Sequence, residues 1–170
     1  MNIIMTGSTS FVGAATVREL LRRGHTVTAI VRPKSSKLDT ILEGNEEALL
    51  SGRLLVTEND LSEPEKLLEK VTKPQDVFCH FGWGGSGSAS RTDKALQEKN
   101  MEISLETIRT AKALGCKKFL FSGSQAEYGM HQDLITENTV CVHSRQDLQR
   151  LRPRGPPVDV SGVLFGHILK

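Results

Sequence analysis

The feature that most constrains this chain is residues 1–24, MNIIMTGSTSFVGAATVRELLRRG, where a buried strand, a glycine turn and a helix follow one another without a spacer. Ile3, Ile4 and Met5 form a short apolar run ended by a turn signal, the pattern of a strand covered on both faces. Thr6 and Gly7 break it. From Phe11 onward, Val12, Ala15, Val17, Leu20 and Leu21 recur at helical spacing, Arg18, Glu19, Arg22 and Arg23 fall mostly on the other side, and Gly24 closes the helix. A strand that feeds a helix through residues 7–13 leaves backbone N–H groups and the positive helix end directed at one point. That point suits a phosphate.

The glycine spacing extends the argument from a phosphate to a dinucleotide. The usual fingerprint uses three glycines, for the tight turn, for close approach of the pyrophosphate and for packing the helix on the strand. Gly7 and Gly13 stand at the first and last of these positions, and Ser10 at the middle one, small enough for a phosphate but with less backbone freedom than glycine. Taken alone, the same pattern also fits an ordinary strand-to-helix turn in another α/β domain.

A chain of 170 residues suits one well-buried domain, and its net charge of +2, with acidic and basic residues interspersed, does not suggest a nucleic-acid surface. No apolar run reaches membrane-span length and the start lacks the features of a signal peptide, so a cytoplasmic protein with no membrane partner is expected. Cys79, Cys116 and Cys141 are odd in number and widely spaced, which fits reduced thiols rather than a disulfide framework. The histidines show no paired ligand spacing, and no metal site is expected.

Further strands alternate with helices. Residues 25–31 are β-branched and alternating, and end at Arg32-Pro33-Lys34-Ser35-Ser36. In a dinucleotide fold a residue near this position meets the adenosine ribose, an acid holding the 2′-OH of NAD and a base the 2′-phosphate of NADP. Arg32 stands there without a nearby acid, which favours NADP, with NAD as the alternative; the other reading of Arg32 and Lys34 is a pair of solvated loop charges. Residues 36–50 read as an irregular helical connection broken at Gly44-Asn45, and 53–57 as a third strand. Ser62 followed by Glu65 reads as a capping box, and Asp60 at the strand's carboxyl end is either an adenine-binding acid or a turn acid.

Residues 76–81 form a fourth strand that runs into Gly82-Trp83-Gly84-Gly85, a backbone built either for flexibility or for close approach to a ligand. Trp83 reads as a packing plug or a substrate platform. A long helix over 92–114 carries Asn100 as a polar intrusion, and a fifth strand over 117–122 delivers SGSQAEYG to the same edge. This alternation predicts an α/β doubly wound parallel sheet of the Rossmann type, strand order 3-2-1-4-5, with a ligand crevice between strands 1 and 4.

The segments TGSTSFVG, ENDL, HFGWGG, Asn100 and KKFLFSGSQAEYG, in this order, resemble the NAD(P)-dependent epimerase/dehydratase family, the extended short-chain dehydrogenase/reductases that act on nucleotide sugars. The resemblance covers about residues 1–140. It implies a cofactor site formed by Gly7, Ser10, Phe11, Gly13, Arg32, Asp60, Leu61, Phe81, Gly82 and Asn100, a catalytic-site serine at Ser124 that binds the reacting sugar oxygen, and a nucleotide-sugar substrate.

One departure from the family stands out. Its members use a Tyr-x-x-x-Lys pair in which the tyrosine moves the proton of the sugar hydroxyl and the lysine lowers its pKa. The only tyrosine here is Tyr128, with Gln132 four residues on, and the only lysine beyond it is Lys170. Composition shifts at the same place: up to Cys141 there are ten lysines, seven arginines and three prolines, and from Val142 one lysine, four arginines and three prolines. The expectation is therefore a dinucleotide-binding domain over 1–141, lacking the C-terminal substrate domain, and a divergent, poorly packed tail over 142–170 in which 158–165 is a possible sixth strand. As it stands, such a chain is an inactive epimerase, dehydratase or reductase domain, or alternatively a non-catalytic NADP sensor or partner protein.

Overall fold

A computed structural model describes residues 1–85, 90, 92–123, 128, 134, 136 and 139, and the backbone of residues 159–164 and 167–168. Strand β1, Asn2–Thr6, leads into helix α1, Phe11–Arg22, and β2, Thr26–Val31. Two short helices, α2 (Asp39–Leu42) and α3 (Glu46–Leu50), flank Gly44, whose φ of 76° makes the break that residues 44–45 announce. Strand β3 (Leu54–Glu58) precedes a 3-10 turn (Pro64–Lys66) that continues as α4 (Leu67–Lys70). Strand β4 is Val77–His80, helix α5 is Lys94–Ala113 and β5 is Lys118–Ser122.

The strands pair in the order β3-β2-β1-β4-β5, all parallel, as the alternation predicts. Beyond β5 the sheet continues with β6 (Asp159–Leu164), parallel to β5, and β7 (His167–Ile168), antiparallel to β6. The span 158–165, read from sequence as a possible sixth strand, thus contains β6. Residues 142–158, which carry most of the compositional shift, lie outside the described residues.

Alternation along the central strands sends side chains into two cores, one on each face of the sheet. Ile3, Met5, Val27, Ala29 and Cys79 pack with Ala14, Val17 and Leu21 of α1. Ile4, Ile30, Phe78 and Phe119 pack with Leu67 of α4 and with Ile108 and Ala111 of α5. Both faces being covered, the strands read as continuous apolar runs, and ligands can enter only at a sheet edge or end.

Helix α1 seats on the sheet through backbone contact. Gly7 has a φ of 69°, and a Cβ there would lie 2.5 Å from the carbonyl carbon of Phe81; a Cβ on Gly13 would lie 2.1 Å from the Gly7 carbonyl oxygen. Ser10 is the N-cap of α1, its Oγ accepting from the Gly13 N–H at 3.0 Å, with φ −75° and ψ 167°. Because that backbone lies in the extended region open to any residue, serine in place of the middle glycine costs no strain, and its hydroxyl satisfies a helix-end donor that glycine would leave open.

One local expectation is corrected. Ser62 does not cap a helix; its N–H and hydroxyl both donate to Asp60 Oδ1, at 2.8 and 2.6 Å, and the helix begins as a 3-10 turn with no side-chain cap. A carboxylate two residues earlier is the stronger acceptor for both groups, so an Asx turn replaces the capping box.

Substituting Gly13 by Ala should destabilise the fold more than Gly44→Ala, where the added Cβ meets open space and only a positive φ opposes it, at about 1–2 kcal/mol. Urea unfolding followed by circular dichroism measures both; equal losses would mean that α1 can slide off the turn at little cost.

Candidate functional site

At the carboxyl ends of the central strands, where the chain leaves β1 toward β2 on one side and β4 lies on the other, the structure opens a cleft of about 500 Å³. Such a switch point is where an open parallel sheet receives its ligand. Gly7, Thr9 and Ser10 form one part of the lining, Arg32 and Lys37 a second, Asn59, Asp60 and Leu61 a third, and Phe81, Gly82, Trp83 and Gly84 a fourth.

The turn after β1 is fixed from both sides. Ser8 is fully buried and its hydroxyl donates to the Ile30 carbonyl of β2 at 2.9 Å, and the Ser10 N–H donates to the Gly7 carbonyl at 3.0 Å. The turn and the N-cap of α1, Ser10, are therefore held in the lining of the cleft, and a helix N-terminus there suits the charge of a pyrophosphate.

At the far end, the Pro33-Lys34 turn reverses the chain: Lys34 has a φ of 58° and the Ser35 N–H donates to the Arg32 carbonyl at 3.1 Å. That reversal returns Lys37 to the cleft beside Arg32. Across from them stands Asp60, its carboxyl held below the usual range first by the Ser62 hydroxyl, then by the Ser62 N–H, with a smaller pull from the charges of Lys99 and Arg32.

Opposite, the glycine loop after β4 is tied down by a chain of buried polar groups. The Gly82 N–H donates to Thr6 Oγ1 at 3.3 Å, Thr6 Oγ1 bonds His80 Nδ1 at 2.9 Å, and His80 Nε2 meets Ser104 Oγ at 3.3 Å. Ser104 in turn donates to the Asn100 carbonyl at 2.9 Å. The Asn100 side chain grips Gly84 as a second backbone would, accepting from its N–H at 3.1 Å and donating to its carbonyl at 2.9 Å. Trp83 donates from Nε1 to Gln97 at 3.0 Å and sets its ring edgewise against Phe121, so it plugs the loop onto α5 and β5 while also lining the cleft.

The residues expected at a cofactor site divide three ways. Gly7, Ser10, Arg32, Asp60, Leu61, Phe81 and Gly82 line the cleft together. Gly13 lies behind the turn as a packing position, and Asn100 lies behind the glycine loop as its clamp. The Phe11 side chain is 94% exposed and does not line the cleft, leaving its backbone at the first turn of α1 as the part that faces the turn. Ser124 lies outside the described residues. Lys37 and Asn59 join the lining without a signal of their own in the sequence: nothing distinguishes Lys37 from Lys34 before the turn is known, and Asn59 reads only as part of the ENDL segment.

The family model for the NAD dependent epimerase/dehydratase family matches residues 3–147. The chain is 29% identical to UDP-glucose 4-epimerase 3 of Oryza sativa subsp. japonica over 162 residues, covering 91% of this chain and 41% of that protein. It is 30% identical to D-erythronate dehydrogenase of Cupriavidus necator over 131 residues, 76% of this chain and 40% of the other. Among solved structures it superposes on UDP-glucose-4-epimerase from Stenotrophomonas maltophila with bound NAD and formylated UDP-arabinopyranose, with a TM-score of 0.73 and 18% identity, over 95% of this chain and 52% of that one. That likeness shows the fold. The chain thus spans about two-fifths of the length of these curated relatives.

His80 gives the site a pH dependence. It is 1% exposed, and burial lowers its pKa from 6.5 to about 4. The unfolded chain binds that proton more tightly, so stability is complete above pH 6.5 and falls as the pH drops toward 4. At about 1.4 kcal/mol per unit, the loss across the window is about 3 kcal/mol. Urea titrations at closely spaced pH values should show this loss, and a flat profile between pH 6.5 and 4 would mean that His80 charges without cost.

Proposed function

Because the chain belongs to the NAD-dependent epimerase/dehydratase family, we propose that its cleft binds NADP in preference to NAD and serves chemistry on nucleotide sugars. The observation that carries the cofactor reading is the cradle itself. Neither Gly7 nor Gly13 has room for a Cβ, so turn, helix and β4 exit close on one another by backbone alone and bring the N-terminus of α1, capped by Ser10, to the cleft.

In this reading the turn from Gly7 to Ser10 and the backbone at Phe11 hold the pyrophosphate. Arg32, with Lys37, takes the 2′-phosphate, and the carboxylate that lines the cleft with them, Asp60, is already engaged by Ser62. Asp60 and Leu61 receive the adenine, and Phe81 and Gly82 back the ribose on the nicotinamide side. When bound, the dinucleotide supplies a hydride acceptor and donor. The absence of a membrane-length apolar helix among the described residues and the free thiols of Cys79 and Cys116 fit a cytoplasmic setting.

Catalysis needs a base for the sugar hydroxyl. In the sequence Tyr128 is followed at the fourth position by Gln132 rather than lysine, so the Tyr-x-x-x-Lys spacing of the family does not occur there. This favours, as a second reading, a chain that binds the cofactor without turning over a sugar, as a sensor or partner subunit would.

Calorimetric titration should show NADP binding more tightly than NAD, with Arg32→Ala removing a preference of about ten- to a hundred-fold, the size of a hydrogen bond to a charged group. Equal affinities in the unaltered chain would overturn the NADP assignment. The purified 170-residue chain, given NADP(H) and UDP-, CDP- and dTDP-sugars, should show no turnover at the nicotinamide absorbance; turnover abolished by Tyr128→Phe would establish this tyrosine as the base.

A further inference from the structure

Asn59 lines the cleft, yet its polar groups face away from it. The residue is 3% exposed. Its backbone N–H donates to the Val31 carbonyl of β2 at 2.9 Å. Its Nδ2 donates to two carbonyls, Asp60 at 2.8 Å and Glu63 at 2.9 Å, and its Oδ1 accepts from Lys70 Nζ at 2.8 Å. Lys70 also donates to the Glu58 carbonyl at 2.8 Å. An ammonium can only donate, so Lys70 decides which end of the amide faces it, and both Nδ2 protons are then committed to the turn over residues 60–63. A charged donor on the oxygen also polarises the amide and strengthens the two bonds its nitrogen makes.

That turn presents two side chains to the cleft. Asp60 shows a carboxylate whose Oδ1 is taken by Ser62. Leu61 reaches the opposite wall, where its Cδ1 would lie 2.8 Å from a Cβ on Gly82. The position of both depends on the turn, and the turn is tied to the Asn59 amide.

We propose that Asn59 and Lys70 are a positioning pair for base recognition: Lys70, outside the cleft, orients the Asn59 amide, and that amide sets the turn that presents Asp60 to the 6-amino group of a bound adenine. The inference rests on the cofactor reading above. Neither residue touches the ligand. Lys70 acts on it through three hydrogen bonds and one turn, so its removal changes which base is preferred, not only how much protein is folded.

The test compares NADP with its hypoxanthine analogue, which lacks the 6-amino group, on the 170-residue chain by calorimetry. The unaltered chain should favour NADP by roughly tenfold or more, the size of one hydrogen bond to a carboxylate. Lys70→Met should bring the ratio toward one, as Asp60→Asn does, and Lys70→Arg should restore most of it. Lys70 is exposed, and both ligands are measured on the same protein, so partial unfolding lowers both affinities alike and leaves the ratio unchanged. A Lys70→Met chain that keeps the full ratio overturns the positioning role and leaves the cofactor reading standing. An unaltered chain that binds both dinucleotides equally also overturns it, and one that binds neither overturns the cofactor reading and this inference together.

Discussion

Three backbone segments meet at Gly7 with no side chain between them, and the site depends on that meeting. The Gly7 carbonyl lies against Gly13 of α1, and the Gly7 Cα lies against the chain leaving β4 at Phe81. Any Cβ at either glycine would have to push backbone, which cannot swing aside as a flexible side chain can. The consequence is geometric: α1 begins close to the gap between β1 and β4, with its N-cap Ser10 in the lining of the cleft. A helix seated one side-chain thickness higher would direct its dipole over the gap instead of into it.

Beneath the glycine loop, rigidity comes from buried polar groups rather than from apolar packing. Thr6, His80 and Ser104 run from the β1–β4 junction to α5, and the chain continues through Asn100 to Gly84. In a low-dielectric interior each member costs free energy unless its neighbours are in place, so the network acts as a unit and holds the loop at Gly82 and Gly84. A segment rich in glycine is thereby held close to the cleft without being loose. The stacking of His80 on Phe119 and Phe121 adds an aromatic wall behind it.

The opposite wall uses charge. Arg32 and Lys37 line the cleft with Asp60, and the Asp60 charge is secured chiefly by Ser62, with only a smaller pull from Arg32. The two basic side chains therefore remain available to an anion, whereas a direct Arg32–Asp60 pair would have neutralised both. This division of partners follows from the Asx turn at residues 60–62, which binds the carboxylate locally.

Much of the scaffold was legible in the residues. The apolar runs at 3–5, 76–81 and 117–122, the helical stripe after Phe11 and the breaks at Gly24 and Gly44 each depend on periodicity or on a backbone conformation that glycine alone takes readily, and these are local properties. Parallel order then follows from the alternation of strand and helix, since crossovers have one favoured hand. What the sequence could not decide is which polar groups would find one another across the fold. Ser62 had two potential partners and chose Asp60 over a helix end; Asn100 proved to hold a loop sixteen residues away; Asn59 and Lys70 meet although eleven residues separate them. Hydrogen bonding depends on distances that only the folded chain sets, so the strands and the glycine turn belong to the sequence, and the walls of the cleft belong to the tertiary structure.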